Sequence, residues 1–310
     1  MKKLLAVLLV GSVCLGFVNS SDSVKVSAKQ AKSNVAVLVD GRKIKFQGGD
    51  PFMVNGRVQV PLRGVGEALG ARVEFNGPEK KVKYAKGDKS IELTIGSQQA
   101  VVDGQSVTMD TTAKAIQGRT YVPLRFVSEN LGESVSWDSV GQWVWIGEKT
   151  LPNTDNLPMQ SLDKFKKYYT KDTKLLNNFR RVPYEGIKVF QSEQLPLRLS
   201  KGNEVYSISK VKIDGENFVA VRSNQIGTPI YFMVENGSAK YRREVLWRTE
   251  EHSDGTVTSY FSVKSEDDVF VNGELVGGDW TKFDLKSADY IAFRTEFPDE
   301  YIVAIVNPFK

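Results

Sequence analysis

Residues 56–70 read GRVQVPLRGVGEALG, and residues 118–132, which lie 62 positions further along the chain, read GRTYVPLRFVSENLG. The two stretches share the tetrapeptide Val-Pro-Leu-Arg, a later glutamate and a closing Leu-Gly. A Val-Asp-Gly lies upstream of each stretch, and a valine and an aromatic residue follow it. This self-match predicts two copies of one structural unit of about 45 residues.

The shared residues predict the local structure of each unit. Asp-Gly pairs favour tight hairpin turns between short apolar strands. A proline after a strand suits the first turn of a helix, and Leu62, Val65 and Leu69 recur at the spacing of one helical face. Gly70 and Gly132 are placed to end the helices in the left-handed conformation. We therefore expect a β-hairpin, a strand, a short helix and a closing strand in each unit.

This order of motifs resembles the copper amine oxidase N-terminal (stalk) domain, over residues 35–147. The resemblance implies an antiparallel sheet packed on helices, in a non-catalytic module that occurs in secreted proteins of Gram-positive bacteria. A copper amine oxidase needs three histidines on copper and a tyrosine that becomes a quinone, whereas this chain has one histidine, His252. We therefore predict no oxidase chemistry, no metal site and no cofactor.

The amino-terminal residues predict export. Two lysines precede an apolar run from Leu4 to Val18, and the Val-Ser-Ala at residues 26–28 suits a signal peptidase. The run has about 15 residues, fewer than the roughly 20 that span a bilayer, so a cleaved signal peptide over residues 1–28 is favoured over a retained anchor. We predict an exposed segment at residues 29–34, no stable membrane insertion, and a secreted protein or one on the extracellular face of the envelope.

Composition narrows the classes of partner. The 310 residues include 42 basic and 37 acidic side chains, which give a net charge of +5. This excess is compatible with an anionic cell-wall polymer, but it forms no concentrated basic stripe and so argues against nucleic acid. The one cysteine, Cys14, lies within the predicted signal peptide, so we expect a mature protein without disulfides or thiolate metal sites.

The later part of the chain is predicted to be a second domain, which makes the whole fold α+β. Residues 148–160 contain two prolines and little apolar content, as expected of a linker. In residues 161–310, where we recognise no family, apolar spacing predicts helices first and then a mainly antiparallel sheet that includes a strand over residues 239–247. Pairs such as Asn272-Gly273 predict the hairpin turns.

Trp143 and Trp145 are the candidate binding residues. They alternate with Val144 and Ile146 in a short strand, so the two indole rings are expected to share one face of a sheet. Such a pair can form a platform for sugar rings. The alternative is that both faces of the strand are buried in the core, since tryptophan supplies much of the apolar area of small β-rich domains.

We find no catalytic constellation in the sequence. His252 lies beside Glu250, Glu251 and Asp254 in one predicted turn, whereas catalytic groups normally converge from separate elements. The sequence therefore favours a non-enzymatic secreted or cell-envelope protein, in which a stalk or surface-binding domain presents a second domain to an envelope protein or wall polymer. The alternative is a secreted hydrolase that uses dispersed carboxylates of residues 161–310, for example Glu235, Glu250 and Asp279.

Overall fold

The computed structural model describes residues 35–178, 180–200, 202–271, 274–275, 278–294 and 300–310. The predicted signal peptide, the segment at residues 29–34 and the predicted turn at Asn272-Gly273 lie outside the described residues. The fold is mixed α+β and rich in sheet, as predicted. No helix within the described ranges is long and apolar enough to cross a membrane.

The first half of the molecule, residues 35–147, consists of short strands and two helices. The strands are β1 (Ala36–Val39), β2 (Arg42–Lys43), β3 (Phe52–Val54), β4 (Arg57–Pro61), β5 (Arg72–Asn76), β6 (Lys81–Lys86), β7 (Lys89–Thr94), β8 (Gln99–Val102), β9 (Gln105–Thr108), β10 (Lys114–Ile116), β11 (Arg119–Pro123), β12 (Val135–Asp138) and β13 (Trp143–Ile146). The helices are α1 (Leu62–Ala68) and α2 (Leu124–Asn130).

Long-range pairing closes the first half. Its sheets have the strand orders β10-β11-β4-β3, β12-β13-β1-β2 and β5-β6-β7-β8-β9. β4 and β11 pair antiparallel, with Val60 opposite Val122. β1 and β13 pair in parallel, with Leu38 opposite Trp145, so the beginning and the end of this half lie side by side.

Both helices begin directly after a proline. Pro61 and Pro123 end the preceding strands and precede the helices, so they lie one residue before the predicted position in the first helical turn. Val65 and Val127 are fully buried in one apolar core with residues from all three sheets of this half. The apolar face predicted from the i, i+3, i+7 spacing is thus the face that packs.

The predicted glycine ends are confirmed. Gly70 has a φ of 75° and Gly132 a φ of 94°, the left-handed conformation that glycine adopts without steric cost. The Gly70 N–H donates to the Glu67 carbonyl at 3.0 Å, and the Ala71 N–H donates to the Gly66 carbonyl at 2.8 Å. These two bonds form a Schellman motif, which satisfies carbonyls that the end of α1 would otherwise leave unpaired.

The second half, residues 148–310, is dominated by strands. They are β14 (Met159–Gln160), β15 (Gly186–Phe190), β16 (Leu197–Ser200), β17 (Asn203–Ile213), β18 (Glu216–Ser223), β19 (Ile230–Val234), β20 (Lys240–Arg242), β21 (Glu250–Glu251), β22 (Val257–Ser262), β23 (Phe270–Val271), β24 (Glu274–Leu275), β25 (Ala288–Phe293) and β26 (Tyr301–Val306). Short 3-10 helices occur at Thr154–Asn156, Leu162–Lys164, Lys166–Tyr168, Thr173–Leu176, Ser192–Gln194, Leu246–Arg248, Glu266–Val269, Trp280–Lys282 and Leu285–Ser287.

Two larger sheets share the main core of the second half. A six-stranded sheet has the order β14-β15-β26-β25-β19-β20, and a five-stranded sheet has the order β16-β17-β18-β22-β21. Val219 and Phe261 from the five-stranded sheet pack with Phe232, Ile291 and Ile305 from the six-stranded sheet. Most pairings are antiparallel as predicted, but β15 and β26 pair in parallel.

The start of the second half differs from the prediction of longer helices. Residues 162–176 form separate 3-10 segments of three or four residues. Phe165, Tyr168 and Tyr169 are all buried against the six-stranded sheet. Three large rings so close in sequence bend the chain onto the sheet, and aromatic residues give little intrinsic support to a helix.

Several strands of the second half also differ from the predictions. The predicted strand over residues 239–247 ends at Arg242, and a 3-10 turn follows. β15 and β25, two central strands of the six-stranded sheet, have no counterpart in the predictions. β25 reads ADYIAF, in which the two alanines and the aspartate weaken the strand signal of Tyr290, Ile291 and Phe293.

Residues 148–160 are packed against the rest of the molecule. Leu151 is buried beside Leu38 and the two tryptophans of β13. The hydroxyl of Thr154, also buried, donates to the Leu199 carbonyl at 2.7 Å. The predicted linker is therefore anchored by a few buried residues, although its apolar content is low.

Candidate functional site

Trp143 and Trp145 are buried. Their side chains are 5% and 4% exposed, and their ring centroids lie 6.0 Å apart. They pack with Leu38 and Leu151, and Tyr206 from the second half packs against the same cluster. A sugar cannot stack on these rings while the neighbours cover them, and the arrangement is the buried alternative considered from the sequence.

Arg222 connects the two halves of the molecule. Its side chain is 4% exposed, and its Nη1 donates to Asp138 Oδ2 at 2.8 Å across the boundary. Its Nη2 pairs with Asp254, and its Nε donates to the Thr256 hydroxyl at 2.8 Å. The guanidinium also lies 5.8 Å from the Trp143 ring centroid. A buried charge with this many partners fixes the contact between the halves.

The carboxylates of the hydrolase alternative serve separate local contacts. Glu235 pairs with Lys167 at 3.1 Å. Glu250 lies in the edge strand β21. Asp279 accepts a hydrogen bond from the Thr281 N–H at 2.9 Å and caps a 3-10 helix. None of these contacts brings two of the three together.

Other polar side chains of the second half also make local contacts. His252 Nε2 lies 2.7 Å from the Thr258 hydroxyl, within the hairpin that joins β21 and β22. Asp268 accepts two hydrogen bonds of 2.8 Å from the buried Arg242 guanidinium, so both of its oxygens are occupied. Within the described residues, no three His, Cys, Asp or Glu side chains are grouped so that they could hold a metal ion.

An apolar turn projects from the five-stranded sheet. Leu246–Arg248 form one turn of 3-10 helix, in which the Arg248 N–H donates to the Val245 carbonyl at 2.9 Å. The Val245 N–H donates to the Tyr260 carbonyl of β22 at 2.8 Å, which fixes the start of the turn to the sheet. Leu246 is 64% exposed and Trp247 is 85% exposed.

Polar and aromatic contacts hold the end of this turn. The Arg248 guanidinium donates to Asp214 Oδ2 at 2.8 Å and lies 5.3 Å from the ring centroid of Phe218. Tyr260 is buried in the same outer cluster as Phe218. Burial, together with a hydrogen bond to Glu250, raises the pKa of Tyr260 to about 12, so it stays neutral at physiological pH. The backbone of the turn is therefore fixed while its two apolar side chains remain in water.

The sequence signal for this turn is an interrupted alternation. Val245-Leu246-Trp247 are three consecutive apolar residues, whereas a half-buried strand alternates apolar and polar residues. The predicted strand over residues 239–247 obscured this signal, because strand geometry would place Trp247 and Val245 on one buried face.

Comparison with known families assigns the first half. Its residues 38–146 match the family model described as copper amine oxidase N-terminal domain. These residues are a copper amine oxidase N-terminal domain. The match confirms the resemblance drawn from residues 35–147, with bounds that differ by three residues at the start and one at the end.

A curated relative carries a functional name. It is a protease inhibitor from Brevibacillus choshinensis, 33% identical over 79 residues. The match covers 26% of this chain and 24% of the relative, so the chain aligns with about a quarter of that protein. The name describes the relative as a whole, whereas the copper amine oxidase N-terminal domain is assigned on this chain itself.

Proposed function

We propose that this protein is a non-enzymatic binding protein that engages another extracellular protein through Leu246 and Trp247. The observation that carries the proposal is the exposure of these two neighbouring apolar side chains on an anchored turn. A folded protein normally buries most of a tryptophan side chain, and exposed apolar patches mark interaction sites.

The turn is suited to a concave apolar pocket on the partner. Tryptophan is enriched among the residues that dominate binding energy, and such a residue contributes most when a pocket removes it from water. Because the backbone around Trp247 is already fixed by its bonds to the sheet, little ordering remains to be done on binding.

A protease is the first partner class to test. The relative from Brevibacillus choshinensis is a protease inhibitor, and an exposed aromatic side chain on a rigid turn fits a substrate pocket that accepts large aromatic residues. The local use of Glu235, Glu250 and Asp279 supports a binding role over the hydrolase alternative.

The first half would then act as a stalk or surface platform. The copper amine oxidase N-terminal domain resembles non-catalytic modules of secreted proteins, and the signal peptide predicted from the sequence supports a place outside the cell or at its envelope. Packing of Arg222 against Asp138 would present the second half in a fixed orientation on this stalk.

Inhibition and binding should be measured with the full chain against purified proteases that prefer aromatic residues and against proteases that prefer basic residues. We expect binding to the aromatic-specific class, and we expect Trp247→Ala to weaken it by about 30-fold or more, since truncating a dominant interface residue costs about 2 kcal/mol or more. Leu275→Ala is the matched control, because Leu275 is also exposed but lies elsewhere.

Equal affinity of Trp247→Ala and the unmodified protein would exclude this turn as the contact. Equal weakening by Leu275→Ala would indicate a general effect of lost apolar surface. Failure of the protein to bind any aromatic-specific protease would remove proteases as the partner class.

A further inference from the structure

A cleft lies beside the six-stranded sheet, on a different part of the second half from Trp247. It has a volume of about 270 Å³, and its walls come from the 3-10 segment Thr173–Leu176, the following loop and strands β19, β25 and β26. Ala292 and Ile302, which pack in one apolar cluster with Tyr169 and Tyr231, contribute an apolar floor. The volume is close to the roughly 300 Å³ at which small-molecule sites begin.

Three tyrosines meet at this cleft, although they are distant in sequence. Tyr169, Tyr184 and Tyr231 all line it. Burial raises the pKa of Tyr169 well above its usual range, and the neighbouring Tyr231 and Tyr184 raise it further. Burial likewise raises the pKa of Tyr231 to about 12, so these hydroxyls stay protonated and can donate hydrogen bonds at any physiological pH.

The Tyr169 hydroxyl has no hydrogen-bond partner among the described residues. The residue as a whole is 3% exposed, and its hydroxyl oxygen keeps contact with solvent at the cleft. A solvated donor at the wall of a cleft can exchange its water for a ligand group.

Two cations and two amides complete the lining. Lys174 and Arg294 face the cleft, and within the described residues neither has a carboxylate within ion-pair distance. No Asp or Glu is among the described residues that line it. Arg294 Nη1 lies 3.5 Å from the Tyr231 hydroxyl, and the residue is exposed. Asn177 and Asn178 also line this cleft, and the Asn178 Oδ1 already accepts the backbone N–H groups of Arg180 and Val182 at 3.0 and 3.1 Å.

We propose that this cleft binds an acidic sugar, a saccharide unit that carries a carboxylate or a phosphate. Hydroxyl and amide groups match the donors and acceptors of a sugar ring, and the apolar floor matches its C–H face. The Arg294 guanidinium and the Lys174 ammonium match the anionic substituent.

A neighbouring cavity continues from the cleft. It has a volume of about 290 Å³ and shares Tyr231 and Arg294 with the cleft. Asp172, Asp267 and Asp268 line it together with Lys240 and Arg243, so its lining carries both signs of charge. The anionic group is therefore favoured at the tyrosine cleft, which has two cations and no described carboxylate, and a saccharide longer than one unit would extend into the neighbouring cavity.

Titration calorimetry on the full chain tests the site with glucuronate, glucose 6-phosphate, glucose and acetate as probes. We expect at least one acidic sugar to bind tenfold or more tighter than both glucose and acetate, with an affinity that falls as salt rises. Tighter binding of glucuronate would identify a carboxylate ligand, and tighter binding of glucose 6-phosphate would identify a phosphate ligand.

Variants locate the binding. Tyr169→Phe removes only the hydroxyl, and Arg294→Ala removes an exposed cation, so we expect each to weaken the acidic sugar tenfold or more. Arg125→Ala is the control, because Arg125 is an exposed arginine on α2. Acetate that binds as well as glucuronate, or unchanged affinity in Arg294→Ala, would overturn the proposal. Trp247→Ala should bind the sugar normally, so this proposal can fail or succeed independently of the protein-binding turn.

Discussion

Trp143 and Trp247 place the same side chain in opposite surroundings. Trp143 lies in β13, where the ring is covered by Leu38, Leu151 and part of the second half. Trp247 lies in a turn of three residues and is almost entirely in water. The comparison shows that strand periodicity directs a ring to a face that another element can cover, whereas a turn can hold a ring away from the body of the protein.

The two surroundings predict different roles for the two residues, one in stability and one in binding. The Trp143 ring contributes apolar burial at the boundary between the halves, so it should matter for stability. The Trp247 ring buries almost no apolar area within the chain. The free energy gained by removing this ring from water is therefore available to an interface. Measuring the free energy of unfolding of Trp143→Ala and Trp247→Ala tests this difference.

The largest expected effect is that of Trp143→Ala. Removing a buried tryptophan leaves a cavity and should lower the free energy of unfolding by about 3–5 kcal/mol, measured by urea denaturation. Trp247→Ala should change the same quantity by no more than about 0.5 kcal/mol. A loss of several kcal/mol in Trp247→Ala, or a negligible loss in Trp143→Ala, would contradict the assignment.

Much of the first half could be predicted because its signals are local. Leu62, Val65 and Leu69 gave the face of α1, and Gly70 gave its end. The parallel pairing of β1 with β13 was out of reach, because it joins segments about a hundred residues apart and has no turn between them to define a register. The family match covers residues 38–146, which contain both copies of these motifs.

The candidate sites were less predictable for the same reason. Arg222 has no local motif, since its partner Asp138 lies in the other half. The tyrosine cleft gathers Tyr169, Tyr184 and Tyr231 from three separate elements, and each tyrosine alone is typical of a core. Trp247 could have been identified from the run of apolar residues around it.

The second prediction compares a buried cation with a half-exposed one. Arg222→Met leaves the buried carboxylate of Asp138 without its partner across the boundary and should lower the free energy of unfolding by about 3 kcal/mol. Arg198→Met is the control, because the Arg198 side chain is 41% exposed and pairs with Glu204 at 3.0 Å, and a pair that is open to solvent contributes about 0–1 kcal/mol. Equal losses of unfolding free energy in the two variants would show that burial of the Arg222 pair does not increase its contribution to stability.

The smallest expected effect concerns Asp254, the more exposed partner of Arg222. Burial by itself would raise the pKa of Asp254, but hydrogen bonds from Thr256 and the charge of Arg222 outweigh it, so this pKa lies below its usual value of 3.8. A carboxyl whose pKa is lower in the folded protein than in the unfolded chain stabilises the fold above the unfolded pKa, and this contribution is lost as the pH falls through the folded pKa.

Asp254→Asn should therefore be less stable than the unmodified protein at pH 7, by about 1 kcal/mol or less because the carboxylate is partly in solvent. The difference should remain constant down to about pH 4 and shrink at lower pH, where the unmodified protein also loses the charge. Urea denaturation at pH 7, 5, 4 and 3 measures it, with Asp214→Asn as the control for an exposed salt-bridge carboxylate. A difference that grows as the pH falls would mean that Asp254 is not stabilised in its charged form. The contact between the two halves would then be stabilised by Asp138 and the buried tryptophans without a contribution from Asp254.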